Sequence, residues 1–199
     1  MPSINLHPWY SVWISPRKTM QSLLKAHSKK TLVWLALIQG GLCSLTIFPS
    51  PWQMVFFDKK LFFYLFFLTK QLILGGILGL AHLYLGGWLY KITGSWLGGN
   101  GSFIDLKCAV GWSNYPFIIA QLTSYLGMWT IFTPQIQLLF SLITVLIIIW
   151  AFVILVNLIG EAHHVSNSKG FLILAIGWIL LFTLLMIMGL TISVLVGIV

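Results

Sequence analysis

From residue 31 onward apolar positions do not alternate with polar ones, and they do not recur as a stripe every third or fourth residue. They arrive in unbroken runs separated by short polar breaks. A helix crossing a bilayer needs about 20 mostly apolar residues, because each adds about 1.5 Å against a hydrocarbon core about 30 Å thick. Backbone donors and acceptors find no water there, so helix is the form such runs take. A membrane strand would alternate over about 10 residues. The runs predict five spans: about Thr31 to Phe48, a stretch within Leu61 to Tyr90, about Phe103 to Phe132, about Ile136 to Ile159, and about Phe171 to Val199. Pro49-Ser50-Pro51 closes the first.

Residues 1–30 form a separate cytoplasmic or interfacial segment ahead of the five-helix domain of residues 31–199. Ser15-Pro16 reads as a helix cap followed by proline at the first helical position. From there Met20, Leu23, Leu24 and His27 share one helical side, while Arg17, Lys18, Gln21 and Lys25 occupy much of the rest. With Trp9 and Trp13 ahead of it, this is the pattern of an amphipathic helix lying in the membrane interface, basic groups toward anionic lipid. The fold class expected is all-α, a polytopic membrane protein of five transmembrane helices with an N-terminal amphipathic interfacial helix.

Composition sharpens that picture. Of 199 residues 59% are hydrophobic and 7% charged, and mean hydropathy is +0.98; a soluble domain carries about 25% charged residues. Net charge is +8, and its placement sets orientation. Arg17, Lys18, Lys25, Lys29, Lys30, Lys91, Lys107 and Lys169 fall on one side if the N-terminus is inside, against Lys59 and Lys60 on the other, with Lys70 inside or near the end of span two. Basic residues stay cytoplasmic, so the N-terminus is expected inside and the C-terminus outside. No signal-peptide pattern with a cleavage site is present.

Chemistry is scarce. The two cysteines, Cys43 and Cys108, suit neither a disulfide framework nor a zinc site. Gly94-Ser95-Trp96-Leu97-Gly98-Gly99-Asn100-Gly101 precedes Ser102-Phe103-Ile104-Asp105, where Ser102 and Asp105 are spaced as a capping box. Glycines at a helix start can present N–H groups to phosphate, although the Walker lysine and the dinucleotide-binding spacing are missing. Trp9, Trp13, Arg17, Lys18, Lys25, Gly99 and Gly101 are thus the candidate lipid or partner surface.

Glu161, His163 and His164 offer carboxylate and imidazole, but neighbouring histidines point about 100° apart on a helix, and with Asp58 and Asp105 the chain holds only three acids. No catalytic residue, cofactor or metal is assigned. His82, Asn114, Pro116, Gln121, Asn157 and Glu161 form a candidate intramembrane polar cluster, either lining a path or bonding helix to helix. Gly75 and Gly79, and the series Gly189, Ser193, Gly197, mark places for close helix approach.

Several of these segments together resemble the Yip1 family. Pro8-Trp9, Trp13, Pro16-Arg17 and Thr19 are similar to its opening, with His7 where the family often has asparagine. Gly98 to Asp105 resembles its Gly-Gly-x-Gly-Ser-Phe segment, and Trp112-Ser113-Asn114-Tyr115-Pro116 its aromatic-Ser-x-x-Pro element. Glu161-Ala162-His163-His164 with Ser166 to Lys169 is similar to its last loop. The resemblance implies five membrane helices and a cytoplasmic N-terminus. Eukaryotic members associate with Rab GTPases and with one another in Golgi and endoplasmic-reticulum membranes. The short N-terminal segment looks more like a bacterial inner-membrane member.

The expectation is a non-enzymatic protein that organises membrane or scaffolds partners. Its partners would be anionic lipid headgroups at the cytoplasmic face and a second copy or other membrane proteins, with no nucleic acid. The alternative is a small transporter, channel or lipid-translocating protein.

Overall fold

The computed structural model describes residues 7–26, 29–47, 61–129 and 133–197. His27, the Pro49–Pro51 turn signal, Asp58, Lys59, Lys60, Phe132 and Val199 lie outside the described residues. Those described form seven helices and no strand: α1 (Pro8–Ile14), α2 (Pro16–Ala26), α3 (Lys29–Ile47), α4 (Leu61–Trp96), α5 (Phe103–Trp129), α6 (Pro134–Ala162) and α7 (Asn167–Val196). The all-α expectation holds.

Among the described residues, three helices are long and apolar enough to cross a membrane: Leu65–Trp96 in α4, Pro134–Ala162 in α6 and Asn167–Val194 in α7. Helix α5 does not reach that mark, for a physical reason. A helix wrapped by other helices needs no lipid-compatible surface all round, and can carry groups that would be costly against hydrocarbon. Helix α5 touches α2, α3, α4 and α6, and its central residues Ala109 to Asn114 are buried together with Pro116. Pro116 sits inside an unbroken helix.

Helix α3 packs most extensively on α4, and the contact is made by small residues. A Cβ built on Gly79 would lie 2.0 Å from the Ala36 carbonyl oxygen, and one on Gly40 2.1 Å from that of Gly75. Only glycine lets the two backbones approach so closely. Ser44 locks the register by donating from Oγ to the Gln71 carbonyl at 2.9 Å. The Gly75–Gly79 pair therefore joins helices within the chain, whereas Gly189 faces open space.

Burial is unequal along the long helices. In α6 the buried residues run from Ala151 to Ala162, and in α7 they are confined to Gly170, Ile173, Leu174 and Gly177. The other halves present leucine, isoleucine, methionine and phenylalanine outward, among them Leu146, Phe182 and Met186. A surface this apolar suits acyl chains.

The N-terminal helices depart from the expected interfacial arrangement. The apolar side of α2 is correctly read, but protein covers it: Met20 is fully buried and Leu23 nearly so, on α6 and α5. Trp9 stacks edge-on against Trp112 and Tyr115 at centroid distances of 5.0 and 4.9 Å. Ring contacts of this kind add to the area the rings bury. The Trp13 carbonyl accepts from Trp150 Nε1 at 3.1 Å, and Ser11 is joined to Thr19 at 2.8 Å across the α1–α2 corner. The segment is docked on the bundle.

Candidate functional site

Two turns meet at one end of the bundle: Leu97–Ser102, joining α4 to α5, and His163–Ser166, joining α6 to α7. Helix α6 ends at His163, and the next residue, His164, adopts φ 56°. Val165 N–H then returns to the Gly160 carbonyl at 2.8 Å, closing the helix in a left-handed cap. That geometry separates the two histidines. His164 is exposed and His163 is 1% exposed.

The His163 ring is the centre of a knot. Gly101 N–H donates to Nδ1 at 3.1 Å, and Nε2 lies 2.9 Å from the Tyr90 carbonyl oxygen. One nitrogen must accept and the other donate, which selects the neutral imidazole protonated at Nε2. Asn100 N–H donates to the His163 carbonyl at 3.3 Å. Burial lowers the His163 pKa below its usual 6.5; the Tyr90 carbonyl and the Asp105 charge oppose that shift, and His164 adds to it.

The glycine cluster is explained by this ring. A Cβ on Gly94 would stand 2.0 Å from Nε2, and one on Gly99 2.5 Å from Nδ1; one on Gly101 would stand 2.5 Å from the Ala162 carbonyl oxygen. Gly99 and Gly101 therefore make room for the His163 end of α6 and do not form the expected phosphate cradle. Gly98 N–H goes to Ser95, Gly99 N–H to Gly94, Asn100 N–H and Gly101 N–H to His163. Ser102 N–H goes to Asp105 Oδ2 at 3.1 Å, and Ser102 Oγ accepts from Asp105 N–H at 3.2 Å, which is the expected capping box. None of these donors is left for an anion.

Helix α2 is tied to the same end. Arg17 Nε is 3.2 Å from Glu161 Oε2, its Nη2 donates to the Val165 carbonyl, and Gln21 donates to Glu161 Oε1 at 2.8 Å. Arg17 thus turns inward with Trp9 and Trp13, while Lys18 and Lys25 remain exposed. Glu161, His163 and His164 point to three different surroundings. Among the described residues no three His, Cys, Asp or Glu are placed to share a metal ion.

A second feature lies deeper. A cavity of about 530 Å³ is walled by α3, α4, α5, α6 and α7. It takes His82 and Asn114 from the expected polar cluster and leaves the others elsewhere. Asn157 Nδ2 donates to Val153 O of its own helix at 2.8 Å, Glu161 is paired with Arg17, and Gln121 Oε1 is buried without a partner away from the cavity. Sequence reasoning missed Gln39, whose Oε1 is buried and unpartnered in the cavity wall. Its signal was a lone amide in an apolar run. Tyr90 joins the two features, since its carbonyl holds His163 and the residue also lines the cavity.

A family model described as the Yip1 domain matches residues 10–189. No curated protein and no solved structure matches the chain.

Proposed function

The chain belongs to the Yip1 family, and on that premise we propose that it is a non-enzymatic integral membrane protein with five spans, whose knotted end lies in the cytosol and gathers anionic lipid headgroups. One observation carries this reading. At that end Lys18, Lys25, Lys29, Lys30, Lys91 and Lys169 are exposed, while the acids Asp105 and Glu161 are engaged by Ser102 and Arg17. The outward charge is therefore basic on a rigid platform. Each lysine near an anionic surface contributes about 1 kcal/mol of attraction, falling off within a Debye length. A bacterial inner membrane, with the C-terminus outside, agrees with that charge placement.

The test uses the full chain in phosphatidylcholine nanodiscs carrying a minor fraction of spin-labelled lipid. Labelled phosphatidylglycerol is expected to be immobilised in preference to labelled phosphatidylcholine. Replacing Lys18, Lys25, Lys91 and Lys169 by glutamine, or raising salt, should remove most of the preference. Equal immobilisation of both lipids by the unaltered protein would overturn the reading.

A second reading, a small lipid-translocating protein or transporter, is supported by the cavity with its unpartnered amides. Flux of a labelled lipid across vesicles holding the protein, against protein-free vesicles, tests it.

A further inference from the structure

The cavity deepens the second reading, because its walls specify a class of ligand. Asn114 is 2% exposed and its Nδ2 has no hydrogen-bond partner; Gln39 Oε1 is likewise buried and unpartnered. Both residues line the same space. A buried amide left unpaired carries a penalty, and with an unmet donor and an unmet acceptor set in the wall of one cavity, a turn of each amide toward that space is favoured by a guest that supplies both partners. A hydroxyl does so, donating to one group and accepting from another.

Charge narrows the class further. The lining contains no lysine, arginine, aspartate or glutamate, so a phosphate or carboxylate head would enter without a counter-charge, at heavy desolvation cost. The remainder of the wall is largely apolar and aromatic. Leu78, Phe152 and Trp178 stand at its rim, all exposed on the bundle's flank. Helices α4 and α6 each pack on α5 and α7 but not extensively on each other. That leaves a lateral opening toward acyl chains.

Size sets the last limit. At roughly 30 Å³ per water-sized group, 530 Å³ holds about 18 such groups, enough for a small head and the first part of one chain, whose end then projects through the lateral opening. Asn114 lies 11 residues into α5, about 16 Å from that helix's start. A hydroxyl at such depth is unfavourable in bare hydrocarbon and favoured where amides await it.

We propose that this cavity binds a single-chain, uncharged amphiphile with a hydroxyl-bearing head, of the monoacylglycerol kind. The probe is a monoacylglycerol with a photoreactive group in its chain, added to the full protein in phosphatidylcholine nanodiscs and mapped after irradiation. Labelling is expected on peptides carrying Leu78, Phe152 or Trp178. Unlabelled monoolein should compete, whereas methyl oleate (no hydroxyl) and oleate (charged) should compete about tenfold less well.

Asn114→Leu and Gln39→Met should each lower labelling about fivefold or more. Asn114→Leu should leave thermal stability equal or higher, since it removes an unmet donor, and a merely structural asparagine would show the reverse. Should either variant fail to fold, Ile148→Trp, at an exposed lining position, blocks the space without touching the amides and must also abolish labelling. Equal competition by methyl oleate, or labelling unchanged in the folded variants, would overturn the proposal: the cavity would then hold water or unspecific acyl chain only. Binding without lipid flux would remove the translocation reading and leave the site standing. Flux without site labelling would do the opposite.

Discussion

The knot around His163 and the cavity beside it are built from neighbouring stretches of the same helices, yet they treat polar groups in opposite ways. In the knot both ring nitrogens of His163, the N–H groups of residues 98–102 and the carbonyl of Tyr90 are engaged. In the wall of the cavity Asn114 Nδ2 and Gln39 Oε1 are buried and unmet. Satisfied networks specify one arrangement, whereas unsatisfied groups in a low-dielectric surrounding carry a cost that something must offset. The contrast separates a structural histidine from a functional asparagine, although sequence alone ranks the histidine as the more chemical residue.

The largest effect should come from filling the space that His163 occupies. Gly94→Ala puts a methyl group 2.0 Å from Nε2, and overpacking of this severity costs about 3 kcal/mol. Thermal unfolding of the purified chain, followed by size-exclusion chromatography, should show early loss of the monodisperse peak.

His163→Leu should cost about 2–3 kcal/mol by leaving Gly101 N–H and the Tyr90 carbonyl unpaired. The same residue predicts a pH dependence. Its pKa is lowered in the fold, so the unfolded chain binds the proton more readily. Stability from this group is complete above about 6.5 and declines as pH falls through that value. Melting temperature measured from pH 7.5 to 5 should drop in the unaltered protein and flatten in His163→Leu.

On the cavity side, Asn114→Leu should raise stability by about 1 kcal/mol in the absence of ligand. A melting temperature lowered by several degrees would remove the contrast. The smallest effect belongs to the tie between α2 and the bundle. Glu161→Gln keeps the Gln21 contact but removes the ion pair with Arg17, which is 38% exposed. Under 1 kcal/mol is expected, seen as faster limited proteolysis near Arg17 with little change in melting.

Much of the architecture was legible because continuous apolar runs admit one backbone solution in lipid. The capping box at Ser102 and Asp105 and the close approach at Gly75 and Gly79 were readable for the same reason, local spacing being sufficient. What covers an amphipathic face was not. Trp9, Trp13 and Met20 look the same in sequence whether they meet headgroups or Trp112 and Tyr115, since that depends on contacts more than 90 residues away along the chain. The purpose of the glycine cluster was hidden likewise, because its partner His163 lies 62 residues beyond Gly101. Gln39 escaped notice because a single amide in an apolar helix is ordinarily absorbed by a neighbouring one.

Amide hydrogen exchange on the full chain in nanodiscs, resolved at Gly99 to Leu106, tests the closed knot most directly. If this turn is folded around His163, its amides exchange as slowly as those of the adjoining helix starts, and protection falls together across both turns in His163→Leu. Exchange at the rate of an open, solvated glycine loop, unaltered by that substitution, would contradict the account.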